Sequence, residues 1–169
     1  MKPVKKLSFT SLIAAFSLIL LFAAGFFSTL SITLAVFASL LVAIVFLECG
    51  RTHAMLCYLT VALLSVLFVT DKSVPLMYIL IFGPYPIFKS FAESVRLACV
   101  EYLLKLLFFN AALAVLCLLL KAFATFPALP DIPWVYPLTL LFLNGAFFIY
   151  DLGFSRLVSL YRHLRRRWK

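Results

Sequence analysis

Six long apolar runs divide this chain, with only short polar or proline-bearing gaps between them. They cover roughly residues 7–27, 30–47, 53–69, 74–88, 102–123 and 134–152. A helix that crosses the hydrocarbon core of a bilayer needs about 20 mostly apolar residues. The runs meet that length or approach it, and no polar insert is large enough to form a second domain. The chain is 66% hydrophobic over 169 residues. A soluble domain, about half apolar, does not reach that value. Disordered chains are poor in apolar residues and are excluded as well. The expected fold is therefore all-α: one transmembrane domain over 1–169, with six helices crossing the membrane.

Charge sets the expected orientation. With six spans and both termini on one side, that side carries Lys2, Lys5, Lys6, Arg51, Lys89, Arg96, Lys105, Arg156, Arg162, Arg165, Arg166, Arg167 and Lys169. The other side carries Lys72 and Lys121. Basic residues collect in cytoplasmic loops, so both termini are expected in the cytoplasm of a cell-membrane protein. The net charge of +9 then reflects topology, and no nucleic-acid partner is expected. The three N-terminal lysines ahead of an apolar run resemble a signal peptide. The run is long for one, and a second span follows at once, so no cleavage is expected.

The stretch Gly83-Pro84-Tyr85-Pro86 interrupts the fourth run. Each proline lacks a backbone donor and restricts the residue before it, which predicts that the span ends or bends near Phe82. Beyond it, Lys89, Glu93 and Arg96 recur at i, i+4, i+7, and Glu101 with Lys105 form a second i, i+4 pair. This pattern predicts an amphipathic cytoplasmic helix over 87–101 leading into the fifth span. Gly83, Pro84, Tyr85, Pro86, Lys89, Glu93, Arg96, Glu101 and Lys105 form the candidate partner-contact element. Ordinary helix ion pairs on a solvated loop are the plainer account. Lys105 also qualifies as an intramembrane ionisable residue, a functional candidate by position.

Ser31, Ala35, Ser39 and Ala43 repeat every four residues on the second span, a ridge that allows close helix packing. Ser11 and Ala15 repeat the spacing on the first. Cys49, His53 and Cys57 stand at i, i+4, i+8 and could offer soft ligands, but Gly50 falls between them and a fourth ligand is not evident. No metal and no cofactor are expected. Asp151 and His163 give no defensible catalytic pairing, and no nucleotide-binding, zinc-protease or nucleophile-elbow motif occurs, so an enzyme ranks third among the functions considered. The tail over 156–169 alternates Leu157, Leu160, Tyr161, Leu164 and Trp168 with basic residues, which suits membrane lipid headgroups. Polar groups are scarce in the half away from the termini, so a solute entering there would be small and largely apolar or aromatic. Asn110, Asn144, Tyr58, Tyr78 and Tyr150 are the candidate solute-binding residues.

The stretch from Tyr78 to Asn110 resembles a group of small Firmicutes membrane proteins with a Gly-x-Tyr-Pro-Ile-x-Lys-x-x-x-Glu signature. Here it falls on Gly83, Tyr85, Pro86, Ile87, Lys89 and Glu93, with Glu101, Lys105 and Asn110 beyond. In span number, length and expected topology the chain also resembles the substrate-binding S components of energy-coupling factor (ECF) vitamin transporters. The resemblance implies an S-component-like bundle in a bacterial cytoplasmic membrane. It implies a solute-binding and translocation subunit that depends on ECF-type transmembrane and ATPase subunits, and it names no solute. S components dock through an Ala-x-x-x-Ala pattern on the first span, where this chain has Ser11 and Ala15. A non-transporting membrane interaction or assembly protein is the alternative function.

Overall fold

The computed structural model describes residues 3–95, 98–122 and 135–167. Secondary structure among them is entirely helical. Helix α1 spans Pro3–Phe26, and a 3₁₀ turn at Ser28–Leu30 leads into α2, Ser31–Cys49. Helix α3 is Arg51–Phe68, and α4 is the short Ser73–Met77. A π-helical segment, Tyr78–Phe82, continues α4, and α5 follows as Tyr85–Ala92. Helices α6, Ala98–Ala122, and α7, Val135–Arg167, complete the bundle. Six helical stretches are long and apolar enough to cross a membrane, the fourth being the composite Ser73–Ala92.

The packing is inverted relative to a soluble protein. The buried faces of α1, α2 and α3 carry small residues, including Ala14, Ser17, Ala24, Ala35, Ala38, Ser39, Ala54, Ala62 and Ser65. Their outer faces carry Leu12, Phe16, Ile19, Phe37, Leu63 and Leu67, each more than half exposed. Small interior residues let helix backbones approach, which is how helices associate where lipid already solvates the large side chains. Exposed apolar surface this extensive is of the kind that faces lipid or a partner protein. The interior hydroxyls of α1 are satisfied within that helix: Thr10 donates to the Lys6 carbonyl at 2.8 Å and Ser17 to the Ile13 carbonyl at 2.9 Å. Gly25 is a point of closest approach, since a Cβ there would stand 2.8 Å from Val69 Cγ1.

Helix ends are set by local chemistry. Gly50 has φ +93°, which favours glycine, and it separates α2 from α3. Lys72 Nζ donates to the Val66 and Val69 carbonyls, both at 2.9 Å, and so closes the end of α3. Asp71 Oδ1 accepts from the Ser73 backbone N–H at 3.0 Å and its hydroxyl at 2.7 Å, starting α4.

Two contacts place the start of α1 and the last part of α7 at one face of the bundle. Cys49 Sγ approaches the Lys6 carbonyl at 3.8 Å, and the Tyr161 hydroxyl donates to Glu48 Oε1 at 2.9 Å. The end of α2 therefore meets the start of α1 and the last third of α7. We call this the terminal face.

Several bounds differ from the sequence reading. The helix expected over 87–101 is divided, with α5 ending at Ala92 and α6 starting at Ala98. Helix α7 continues beyond 152 as one helix through most of the basic tail. Arg96, Trp168, Lys169 and the proline-rich link at 127–133 lie outside the described residues.

Candidate functional site

The site begins with the break in the fourth span. In the π segment the Gly83 N–H bonds the Tyr78 carbonyl at 2.7 Å, five residues back. The Ile79 carbonyl would next look to residue 84, which is proline and has no N–H. The Tyr58 hydroxyl on α3 supplies the missing donor at 2.9 Å. The Tyr58 ring lies so close to Gly83 that an added Cβ would stand 2.5 Å from Cδ2 and 2.6 Å from Cε2. Glycine is required here by space, because its φ of −67° suits any residue.

This break turns Tyr85 and Lys89 into the bundle. Asp151 Oδ1, on α7, accepts hydrogen bonds from the Tyr85 hydroxyl and from Lys89 Nζ. Its Oδ2 accepts from Lys105 Nζ on α6 at 3.2 Å. Lys105 also pairs with Glu101 at 2.6 Å, Lys89 pairs with Glu93 at 3.2 Å, and Glu93 lies 3.9 Å from Lys105. Lys89, Lys105 and Asp151 are 5%, 3% and 4% exposed, so three helices are joined by charges withdrawn from solvent and lipid. Glu93, with its side chain 44% exposed, is the open edge of the cluster. Two cations face three carboxylates, so every buried charge has a partner, the condition for keeping such groups in a low-dielectric interior.

Aromatic rings wall this network. Tyr85 lies 5.2 Å from the Tyr150 ring centre, 5.4 Å from Phe147 and 5.7 Å from Phe154, and Phe82 packs edge-on against Tyr150 at 5.6 Å. Lys89 Nζ sits 5.8 Å from the Tyr85 ring centre, within cation–π range. The Tyr150 hydroxyl meets Ser39 Oγ at 3.2 Å, tying α7 to α2.

A cavity opens on each side of the aromatic wall. Toward the face opposite the termini is an apolar crevice of about 280 Å³. It is lined by Ile32 and Val36 of α2, Met77, Ile81 and Phe82 of the broken span, residues of α6, and Leu143, Ala146, Phe147 and Tyr150 of α7. Toward the terminal face is a polar cleft of about 190 Å³ whose lining includes Lys89, Ser90, Glu93, Ser155, Ser159 and Arg162.

The sequence-selected residues fall in three places. Tyr150 lines the apolar crevice. Tyr58 serves the π segment, and Tyr78 is fully buried beside it, its hydroxyl without a hydrogen-bond partner. Asn110 and Asn144 bond each other reciprocally at 2.9 and 3.2 Å, and each donates to the carbonyl four residues before it. That pair occupies its own polar groups and pins α6 to α7. Of the candidate contact element, Tyr85, Lys89 and Lys105 are buried in the bundle, and Pro86, Lys89 and Glu93 line the polar cleft. Ala35, Ser39 and Ala43 are buried, so most of the small-residue ridge packs internally. Cys49 and His53 belong to different helices, separated by Gly50. Among the described residues no cluster of three or more metal-ligating side chains occurs.

Asp151 is the site residue that sequence reasoning passed over. It is 62 residues from Lys89 and 46 from Lys105, and local spacing carries no trace of either contact. Its position as an acid inside an apolar run was the available signal. Comparison of the chain with protein-family models, curated proteins and solved structures gave no match.

Proposed function

We propose that this chain is a membrane-embedded subunit that binds a small, largely apolar or aromatic solute and passes it across the bilayer, working with a separate ATP-driven module. The observation that carries this reading is the stack of apolar crevice, aromatic wall and buried ion network, built on a discontinuous helix. Binding sites within membranes recur where a span is broken, and ionisable residues at that depth mark solute and ion pathways. A solute in the crevice would touch Tyr150, and the next residue, Asp151, holds α5 and α6. Occupancy is thereby coupled to the network that fixes three helices. Ser11 and Ala15 are exposed on α1, where an S component would dock its membrane partner.

Filling the crevice tests the solute reading. Protein purified gently should carry a small molecule detectable by mass spectrometry. The Val36→Trp variant should lose it while eluting and melting like the parent. An unchanged yield of the same molecule from the variant, or none from the parent, would remove the crevice as a solute site.

The proposal includes cytoplasmic termini, supported by the distribution of basic residues. A phosphatase reporter fused after Lys169 should be inactive and a fluorescent cytoplasmic reporter active. The reverse pattern would overturn the orientation.

A further inference from the structure

A third cavity adjoins the polar cleft. An apolar groove of about 410 Å³ runs between α2 and α7, lined by side chains such as Leu40, Leu41, Ile44, Leu157 and Leu164. Groove and cleft share Ala43, Leu47 and Val158, so a long apolar site meets a small polar one. On α2 the groove extends from Phe37 to Leu47, about 15 Å at the rise of an α-helix. An amphiphile with one extended chain matches this shape.

The chemistry of the cleft narrows the headgroup. Lys89 is occupied by Asp151 and Glu93. Arg162 is exposed and supplies a planar donor suited to a phosphate. The remaining polar lining is rich in acceptors. Both lysines meet Glu93 through Oε1, which leaves Oε2 as an acceptor. The hydroxyls of Ser90, Ser155 and Ser159 donate to their own helices, and their oxygens keep acceptor capacity. One cation beside several acceptors is complementary to a phosphate that carries a primary ammonium a few ångströms away. A quaternary ammonium would leave the acceptors without a donor, and a purely anionic headgroup would face Glu93.

We infer that the groove and cleft bind one phospholipid of the phosphatidylethanolamine type, its phosphate on Arg162, its ammonium among Glu93 and the serine oxygens, and an acyl chain along α2 and α7. This inference stands independently of the solute reading.

The test uses the full chain reconstituted in phosphatidylcholine vesicles containing equal shares of phosphatidylethanolamine and phosphatidylglycerol. After mild re-extraction, native mass spectrometry counts retained lipid. One phosphatidylethanolamine should remain per protein, favoured about tenfold over either other lipid, the worth of one charge-assisted hydrogen bond. Glu93→Gln, at the exposed edge of the cluster, should abolish that preference, whereas Arg162→Gln should lower retention of all three lipids, because each carries the phosphate. Ile44→Trp, which fills the groove without touching the cleft, should lower retention without a change in melting temperature. Equal retention of all three lipids would mean ordinary surface lipid and overturn the inference. A preference for phosphatidylglycerol would assign the binding to the basic tail and overturn it also. Stabilisation by soluble phosphoethanolamine equal to that by the lipid would remove the groove from the site.

Discussion

Asp151→Asn is expected to be the most damaging single substitution in the bundle, costing roughly 3–5 kcal/mol, as when one partner of a buried ion pair is removed. The carboxylate serves three groups at once, Tyr85, Lys89 and Lys105. An asparagine retains one acceptor oxygen, and its amide hydrogens point at whichever ammonium group, Lys89 or Lys105, lies on the other side and cannot accept them. Thermal unfolding in detergent, followed by the loss of the monodisperse peak, measures the effect. The triple variant Lys89→Met, Lys105→Met, Asp151→Leu separates pairing from packing. Removing all three charges avoids an uncompensated buried ion, so the triple variant should be more stable than the single one. A single variant as stable as the parent would mean that the three helices are not held by this network.

Gly83→Ala is the second large effect. The new methyl group would collide with the Tyr58 ring and stand 2.9 Å from the Tyr78 carbonyl oxygen. Overpacking of this kind costs about 1–3 kcal/mol. A ring displaced to make room also withdraws the hydroxyl from the Ile79 carbonyl, and an unsatisfied buried acceptor costs about 1–3 kcal/mol more. The two costs share one side chain, so they are not additive. In a Tyr58→Leu background the carbonyl has already lost its donor and the ring is gone. There Gly83→Ala should cost clearly less, and a double-mutant cycle by thermal unfolding reads the difference. Equal cost in both backgrounds would locate the strain in the backbone instead.

The sequence made the apolar runs legible because bilayer thickness dictates a length that composition alone reveals. It also made the i, i+4 pairs legible: Lys89 with Glu93 and Glu101 with Lys105 both form. Which way those pairs face was not legible. In water a charged stripe marks the exposed side of a helix, and the stretch 87–101 reads as a solvated surface on that rule. In this bundle the charged side turns inward, and both Lys89 and Lys105 are buried. The role of Asp151 was hidden because its partners come from α5 and α6, which meet α7 only in the folded bundle. Asn110 and Asn144 were visible as amides in apolar runs, but their mutual bonding across 34 residues was not. The π segment was the least legible feature. The two prolines announced an interruption, while the five-residue hydrogen bond depends on Tyr58 satisfying a carbonyl from another helix.

That π segment carries a consequence for how such a site is built. A five-residue repeat holds one residue more than an α-turn, and each residue advances an α-helix by about 100°. A chain lacking one residue between Tyr78 and Phe82 could run as a regular helix up to the prolines. Every side chain beyond would then be rotated by that amount, carrying Lys89 away from Asp151. The burial of Lys89 therefore depends on the extra residue held in the π turn as much as on the lysine itself. The wide turn and the acid on α7 are thus two halves of one device, since the pair between Lys89 and Asp151 forms only where both are present.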